Sequence, residues 1–537
     1  MAFDLSKQLS SFYSTHQKPQ DLSFAYGTAG FRTKANTLDS VVFVVGLLAS
    51  LRSKYLDGQT IGIMITASHN PPEDNGVKLV DPQGEMLEQS WEAYATALAN
   101  VGNEQDLLNE LNKLIAQLNI KLDTPSNVII ARDSRDSGPA LTKATIDGLQ
   151  VFNTTYKNFH LLTTPQLHYL VRAINTRNSP VSYGEPSEDG YYAKVGTAFK
   201  SIIKGHADKV NITIDAANGI GGPKVENLAQ DLTSVLDVTI VNNDYKIPEA
   251  LNVNSGADFV KTNQRLPQNI QPVPLQLYAS FDGDADRVVF YYHDEQGVFH
   301  LLDGDKISTL LAAFLKDLVS KSGVNADIGV VQTAYANGSS TNYLTEVLQL
   351  PVVCTPTGVK HLHHEAARFD IGVYFEANGH GTVLFSDSFV ERLRGTEPST
   401  PDENRAIQSI IQMSELINQT VGDAISDMLA VLVVLATKLW DPSNWDSSYT
   451  DLPNRLAKVI VPDRTVFTTT NAERQLTSPQ NLQTKIDEAV KKYPQGRSFV
   501  RASGTEDAVR VYAEAATRVE ADDLSNEVVE LVKEAVC

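Results

Sequence analysis

The sequence predicts an α/β fold, built in layers and divided among several domains. Three observations carry that reading. Apolar strand-like runs alternate with helical patterns from one end to the other, the signature of layered α/β proteins. The most apolar runs, such as Ile61-Gly62-Ile63-Met64-Ile65, stop at short polar loops, as buried strands do. At 537 residues the chain also exceeds what one hydrophobic core organises.

The elements follow in order. A first segment, 1–194, begins with the polar turn Tyr26-Gly27-Thr28-Ala29-Gly30-Phe31-Arg32. Its strand at 61–65 runs into Thr66-Ala67-Ser68-His69-Asn70-Pro71, and the break at Pro71-Pro72 sets Ser68 on a strand-to-loop turn with its hydroxyl facing a cleft. A serine so placed can be a nucleophile. The plainer alternative is that Ser68 and Asn70 only shape the turn through side-chain to backbone hydrogen bonds. A helix over 107–118 and a strand around Val128-Ile129-Ile130-Ala131 follow, and polar 182–190 reads as a linker.

A second segment, 195–297, opens on a strand over 211–215. A further strand-like run, 275–280, feeds Phe281-Asp282-Gly283-Asp284-Ala285-Asp286-Arg287. Three carboxylates at alternate positions can turn toward one point, where they repel one another unless a cation intervenes. Oxygen-only ligands favour a hard divalent ion, and few ligands with room for water favour Mg²⁺. A calcium loop is excluded by its missing twelfth-position glutamate.

A third segment, 298–432, carries Thr357-Gly358-Val359-Lys360 after the strand-like Val352-Val353-Cys354, and Glu376-Ala377-Asn378-Gly379-His380 between two further strands. Carboxylate, amide and imidazole on one tight turn can read sugar hydroxyls. A fourth, 433–537, is entered through 441–454 and carries Arg501-Ala502-Ser503-Gly504-Thr505-Glu506 and then Arg510 between two strands. Gly504 lets backbone N–H groups approach an oxyanion and the arginines supply charge-assisted bonds, which makes a phosphate cradle. A polar hairpin with an incidental ion pair is the alternative.

These segments, in this order, resemble the α-D-phosphohexomutase superfamily over nearly the whole chain, from Gly27 to Arg510. Within it the chain is similar to the phosphoacetylglucosamine mutases, by its Thr66–Pro71 start, its Glu376-Ala377-Asn378-Gly379-His380 loop and the long insert near 95–125. The resemblance implies three similar α/β domains and a smaller C-terminal α+β domain around a central cleft. It implies a phosphomutase that interconverts N-acetylglucosamine 6-phosphate and 1-phosphate through a phosphoserine enzyme and a bisphosphate, supplying UDP-N-acetylglucosamine synthesis. Ser68 would carry the phosphoryl group, with Asp282, Asp284 and Asp286 holding Mg²⁺ and a phosphoserine oxygen as a further ligand. His69, Lys78 and Arg287 stand open as candidates for the base, arginine being the poorest since it stays protonated. Thr357, Gly358, Glu376, Asn378 and His380 would bind the sugar. Arg501, Ser503, Gly504, Thr505 and Arg510 would bind the non-reacting phosphate, and Gly30, Arg32 and Lys360 would support the site. Rival readings are a glucose or mannose phosphomutase of the same superfamily, a metal-dependent sugar phosphatase using the same serine, and a sugar-phosphate binding protein without catalysis.

Composition limits the partners. A net charge of −20 argues against nucleic acid and anionic membranes. It requires a locally basic cleft for an anionic substrate, from Arg32, Lys78, Arg287, Lys360, Arg501 and Arg510. Two cysteines, Cys354 and Cys537, make no disulfide framework and suggest a reducing compartment. No signal peptide or membrane-spanning run is legible. A cytoplasmic enzyme, monomeric and acting on a small sugar phosphate, is expected. His361, His363 and His364 read as a helix surface, and Asp303-Gly304-Asp305 as a helix cap.

Overall fold

The computed structural model describes residues 3–206, 209–503 and 507–535. The chain folds as two compact units. One comprises Met1–Leu301 with Gln412–Leu439, the other Leu302–Ile411 with Trp440–Cys537.

The first unit contains two five-stranded sheets. The first sheet runs Phe31–Lys34, Asp74–Val80, Thr60–Ile65, Asn127–Arg132, Thr155–Leu161. Thr60–Ile65 is parallel to Asn127–Arg132 and antiparallel to Asp74–Val80. All of its residues are buried, as its continuous apolar run requires of a strand covered on both faces. Helices Asp39–Tyr55 and Thr164–Thr176 pack against it. The second sheet runs Phe299–Leu302, Val288–His293, Tyr278–Phe281, Val210–Asp215, Leu236–Val241.

The second unit contains a four-stranded sheet in the order Val352–Thr355, Ile328–Thr333, Ile371–Phe375, Gly381–Phe385. Its C-terminal sheet is wholly antiparallel: Asn454–Ile460, Ala508–Glu514, Arg497–Ala502. Helices Leu482–Val490 and Arg518–Ala535 pack on that sheet, giving the α+β arrangement the resemblance implied. Arg497 joins the two sheets. It pairs with buried Glu514 at 2.7 Å and donates to the carbonyls of Ala334 and Ala336.

The three similar α/β domains that the resemblance implied appear here as a repeat that no self-similarity of the sequence displays. In each of the first three sheets a central strand has an antiparallel partner on one side and two parallel strands on the other. In each, the loop that turns into the antiparallel partner carries the candidate chemistry, namely Ser68, the three aspartates, and Glu376 to His380. Sequence order differs, however. The hairpin precedes the parallel pair in the first sheet and follows it in the other two. That permutation, on strands that share only apolarity, hid the repeat.

The segment limits at 194 and 432 fall inside helices Glu188–Ile203 and Ala424–Lys438, and that at 297 severs Phe299–Leu302 from its sheet. The supposed linker 182–190 already contains the start of a helix capped by Ser187, whose hydroxyl accepts from Gly190 N. Polarity alone does not separate a helix's exposed first turn from a loop. Asp303 does cap helix Gly304–Ser322, and His361, His363 and His364 lie on helix Val359–Ala366, where His363 meets the Tyr374 hydroxyl at 2.9 Å. No described helix is long and apolar enough to cross a membrane.

Candidate active site

Ser68 sits where the sequence put it, on the turn after Thr60–Ile65, but not exposed as expected. It is only 1 % accessible, because the aspartate loop closes over it. Its φ of +51° is left-handed, an uncommon conformation for a residue with a Cβ. The turn is held from below. Ser68 N donates to Thr66 Oγ1, which donates to Asp133 at 2.7 Å. Buried Arg135, paired with Asp133 at 3.0 Å, donates to the carbonyls of Ser68, Asn70, Pro71 and Asp74. Asn252 adds bonds to the carbonyls of Ser68 and Asn70. One hydroxyl is thereby fixed by a network that satisfies the backbone around it.

That hydroxyl points at the aspartate loop. Ser68 Oγ donates to Asp282 Oδ2 at 2.6 Å. Gly283 makes the approach possible, since a Cβ there would lie 2.6 Å from the Ser68 carbonyl oxygen. Asp282, Asp284 and Asp286 are all buried and offer carboxylate oxygens within 4.8 Å of one another, which no other group of such side chains does among the described residues. Burial, and then the charges of Asp286 and Asp284, push the Asp282 carboxyl well above its usual range. Asp284 Oδ2 accepts from Thr164 Oγ1 at 2.5 Å, whereas its buried Oδ1 has no hydrogen-bond partner. Clustered carboxylates that oppose one another's ionisation, with an oxygen left over, fit a hard divalent cation.

Cations and an imidazole surround the cluster. Lys78 Nζ, on the antiparallel strand beside the serine turn, is 3.6 Å from Asp284 and 3.4 Å from Asp286. Arg287 lies 3.9 Å from both Asp282 and Asp286 and pairs with Asp258 at 3.1 Å. His69 bridges Ser68 Oγ and Asp258, each at 3.4 Å. Burial, and then the Arg287 charge, push the His69 ring down to about 4. Arg32 donates to Asn70 Oδ1 at 3.3 Å, and Gly30, at φ +83°, lies so close to the strand bearing Lys78 that a Cβ would meet the Val77 carbonyl at 2.2 Å.

The remaining candidates lie in the second unit. On the 376–380 turn Asn378 serves the loop itself. Its Oδ1 accepts from His380 N at 2.9 Å and its amide faces Glu376 at 3.4 Å. Gly358 caps the helix on which Lys360 lies, and Thr357 precedes it. Thr357 N and Oγ1 both donate to Glu473, at 2.9 and 2.5 Å, and Arg501 Nε faces the other oxygen of Glu473 at 3.4 Å. Arg501 and Arg510 stand directly opposite across their strands, and Ser503 N bonds to the Ala508 carbonyl. Gly504 and Thr505 lie outside the described residues.

Sequence reasoning missed Thr66, Arg135, Asn252, Asp258, Thr164 and Glu473. Arg132-Asp133-Ser134-Arg135-Asp136 follows a strand, as the chemistry loops do. Nothing in its spelling indicates that Arg135 reaches back more than 60 residues.

Comparison with known proteins places these loops in a lineage. Residues 186–289 and 303–440 match the family models "Phosphoacetylglucosamine mutase AMG1" domains II and III. Residues 48–106 with 97–181, and 456–531, match domain I and the C-terminal domain of "Phosphoglucomutase/phosphomannomutase". The chain is 56 % identical to the phosphoacetylglucosamine mutase of Candida albicans, over 98 % of this chain and 100 % of that one. It is 50 % identical to the human enzyme of the same name, over 97 % and 96 %. A crystal structure of Aspergillus fumigatus N-acetylphosphoglucosamine mutase, in complex with GlcNAc-6P and magnesium, superposes with a TM-score of 0.97 at 52 % identity and full coverage of both chains. With four domain models matched in order and such identity along its whole length, the chain belongs to the phosphoacetylglucosamine mutase family of the α-D-phosphohexomutases.

Proposed function

We propose that this protein interconverts N-acetylglucosamine 6-phosphate and N-acetylglucosamine 1-phosphate, with Ser68 as the phosphoryl carrier and a bisphosphorylated sugar between the two, so supplying UDP-N-acetylglucosamine synthesis. The observation that carries the reading is the 2.6 Å contact between Ser68 Oγ and Asp282 inside a triad of buried carboxylates.

Asp282, Asp284 and Asp286, with an oxygen on Ser68, would hold Mg²⁺. Bound there, it supplies positive charge against the transferring phosphoryl group. Arg135 and Asn252 keep the Ser68 turn in one geometry, so little reorganisation is needed when the phosphoryl group arrives or leaves. Lys78 and Arg287 place fixed positive charge around the same group. The base that takes the sugar hydroxyl's proton is His69 in this reading. Its depressed pKa keeps the ring neutral at pH 7, with a lone pair available. Phosphorylation of Ser68 adds nearly two negative charges beside it, which raises its basicity, and a divalent cation on the aspartates opposes that rise. Arg287 cannot give up its proton.

Glu376, Asn378 and His380, with Thr357 and Gly358, would bind the sugar, and Lys360 would support them. Arg501, Ser503 and Arg510, with Gly504 and Thr505, would bind the phosphate that is not reacting. Binding energy from that remote phosphate orients the reacting end. For the domains we place the limits near residues 187, 302 and 440, where they spare the helices and the edge strand and sit close to the matched ranges.

The deciding experiment offers N-acetylglucosamine, glucose and mannose phosphates side by side. We expect isomerised N-acetylglucosamine phosphate as the fastest product. Release of free phosphate in its place would indicate a phosphatase. Preference for glucose or mannose phosphate would move the chain to a neighbouring specificity with the phosphoserine chemistry intact.

A further inference from the structure

We propose that Glu473 is a built-in competitor for substrate oxyanions, one that sugar phosphate displaces when it binds. The inference rests on the reading of Thr357 and Arg501 as substrate-binding residues. Glu473 lies on the hairpin formed by Thr468–Thr470 and Gln475–Ser478, far in sequence from both. Its Oε2 takes the backbone N–H and the hydroxyl of Thr357, and its Oε1 faces Arg501 Nε at 3.4 Å. All these contacts lie within the second unit. A carboxylate and a phosphate are both oxyanions, and they bind the same donors in the same way. The donors that substrate would use are therefore already engaged by an anion of the chain itself.

Two further observations suit a displaceable anion. Lys458 pairs with Arg510, and Arg510 pairs with Arg501, so three cations stand in a row across the three antiparallel strands of the C-terminal sheet. Like charges directly opposite in a sheet repel, and an anion beside the row relieves this. Glu473 is the anion that faces the Arg501 end of this row. The turn that presents it holds Asn471, Ala472 and Glu473 at φ +51°, +54° and +65°. Three successive non-glycine residues in the left-handed region persist only under constraint from their surroundings, and the contacts of Glu473 provide it. Once phosphate takes Arg501, the carboxylate and the dianion repel, and the turn is free to relax.

The test uses a Ser68→Ala background, which prevents turnover, and titrates the full-length protein with N-acetylglucosamine 6-phosphate and with inorganic phosphate by calorimetry. Adding Glu473→Gln removes the charge while keeping the shape. We expect both ligands to bind about 3- to 10-fold tighter, because the competent state no longer has to be won from an internal anion. Unchanged or weaker binding would overturn the proposal and make Glu473 a residue that positions Thr357 and Arg501. A second measurement needs no variant at position 473. Hydrogen exchange over residues 468–478 should rise when phosphate is added to the parent protein, and a fall or no change would also overturn it. Arg501→Ala in the same titration separates the two levels of inference. Binding as tight as the parent's would refute the phosphate-site reading itself. Lost binding there, with no gain from Glu473→Gln, would refute only the competitor.

Discussion

Ser68 and Arg135 show how much one side chain decides. The serine hydroxyl is a single buried group aimed at Asp282, so its removal deletes the proposed acceptor and little else. Ser68→Ala should abolish mutase turnover, and its thermal unfolding should stay cooperative and close to that of the parent. Substantial residual turnover in protein purified free of contaminating mutase would exclude Ser68 as carrier. Arg135 is the opposite case, for it never needs to touch substrate. It donates to four carbonyls of the serine loop and neutralises Asp133, whose carboxyl burial raises and Arg135 opposes. Arg135→Ala strands a buried carboxylate and several carbonyls, and should cost ~3–5 kcal/mol in denaturant unfolding. A loss under 1 kcal/mol would mean that the loop holds its shape without the guanidinium.

At the scale of elements, the N-terminal helix Leu5–Tyr13 is followed by a pH-dependent fastening. Buried His16 places Nδ1 2.7 Å from Asp39 and Nε2 3.2 Å from Asp147, and stacks on Phe43. Those carboxylates belong to helices Asp39–Tyr55 and Gly138–Val151, and exposed Lys143 shares Asp147. Burial draws the imidazole pKa down, but the bonds and charges of Asp39 and Asp147 outweigh it and leave the pKa raised. A raised histidine pKa stabilises the folded state fully below the unfolded value, near 6.5. That contribution is lost as pH climbs through the higher folded value. Melting temperature should therefore fall across the window from about 6.5 upward, and His16→Asn should flatten this part of the profile. An unchanged slope in the variant would assign the pH dependence elsewhere. Most helix ends needed no such device. Asn103, Thr163, Ser187 and Asp423 cap their helices with side-chain oxygens, as their residue types foretell.

For the whole molecule, the consequence of the carboxylate triad is a folded state that gains from a cation. Burial and mutual repulsion oppose ionisation of Asp282, and Asp284 keeps an oxygen without a hydrogen bond. A divalent ion that binds the folded chain and not the unfolded one raises stability with its concentration. Exhaustive chelation should stop turnover and lower the melting temperature, and Mg²⁺ should restore both. Zn²⁺ should bind at least as tightly and support slower turnover, because affinity among divalent ions does not set catalytic fitness. Full activity in protein shown to be metal-free would remove the metal from the reading.

Legible in the sequence were the layered α/β class and the strands that lead into the loops carrying Ser68, the three aspartates and Arg501. These were legible because they are local. A buried strand needs a continuous apolar run, and a loop that binds an ion or a phosphate needs its ligand atoms a few residues apart. Folding settled what depends on contacts between distant segments. It buried Ser68 under the aspartate loop, brought Arg135 and Asn252 to the carbonyls of the serine turn, and set Glu473 between Thr357 and Arg501. It also revealed three sheets with one strand arrangement, threaded in two different orders. Backbone carbonyls are the same at every residue and apolar strands resemble one another, so no spelling marks which carbonyl a distant side chain will reach or which strands will lie side by side.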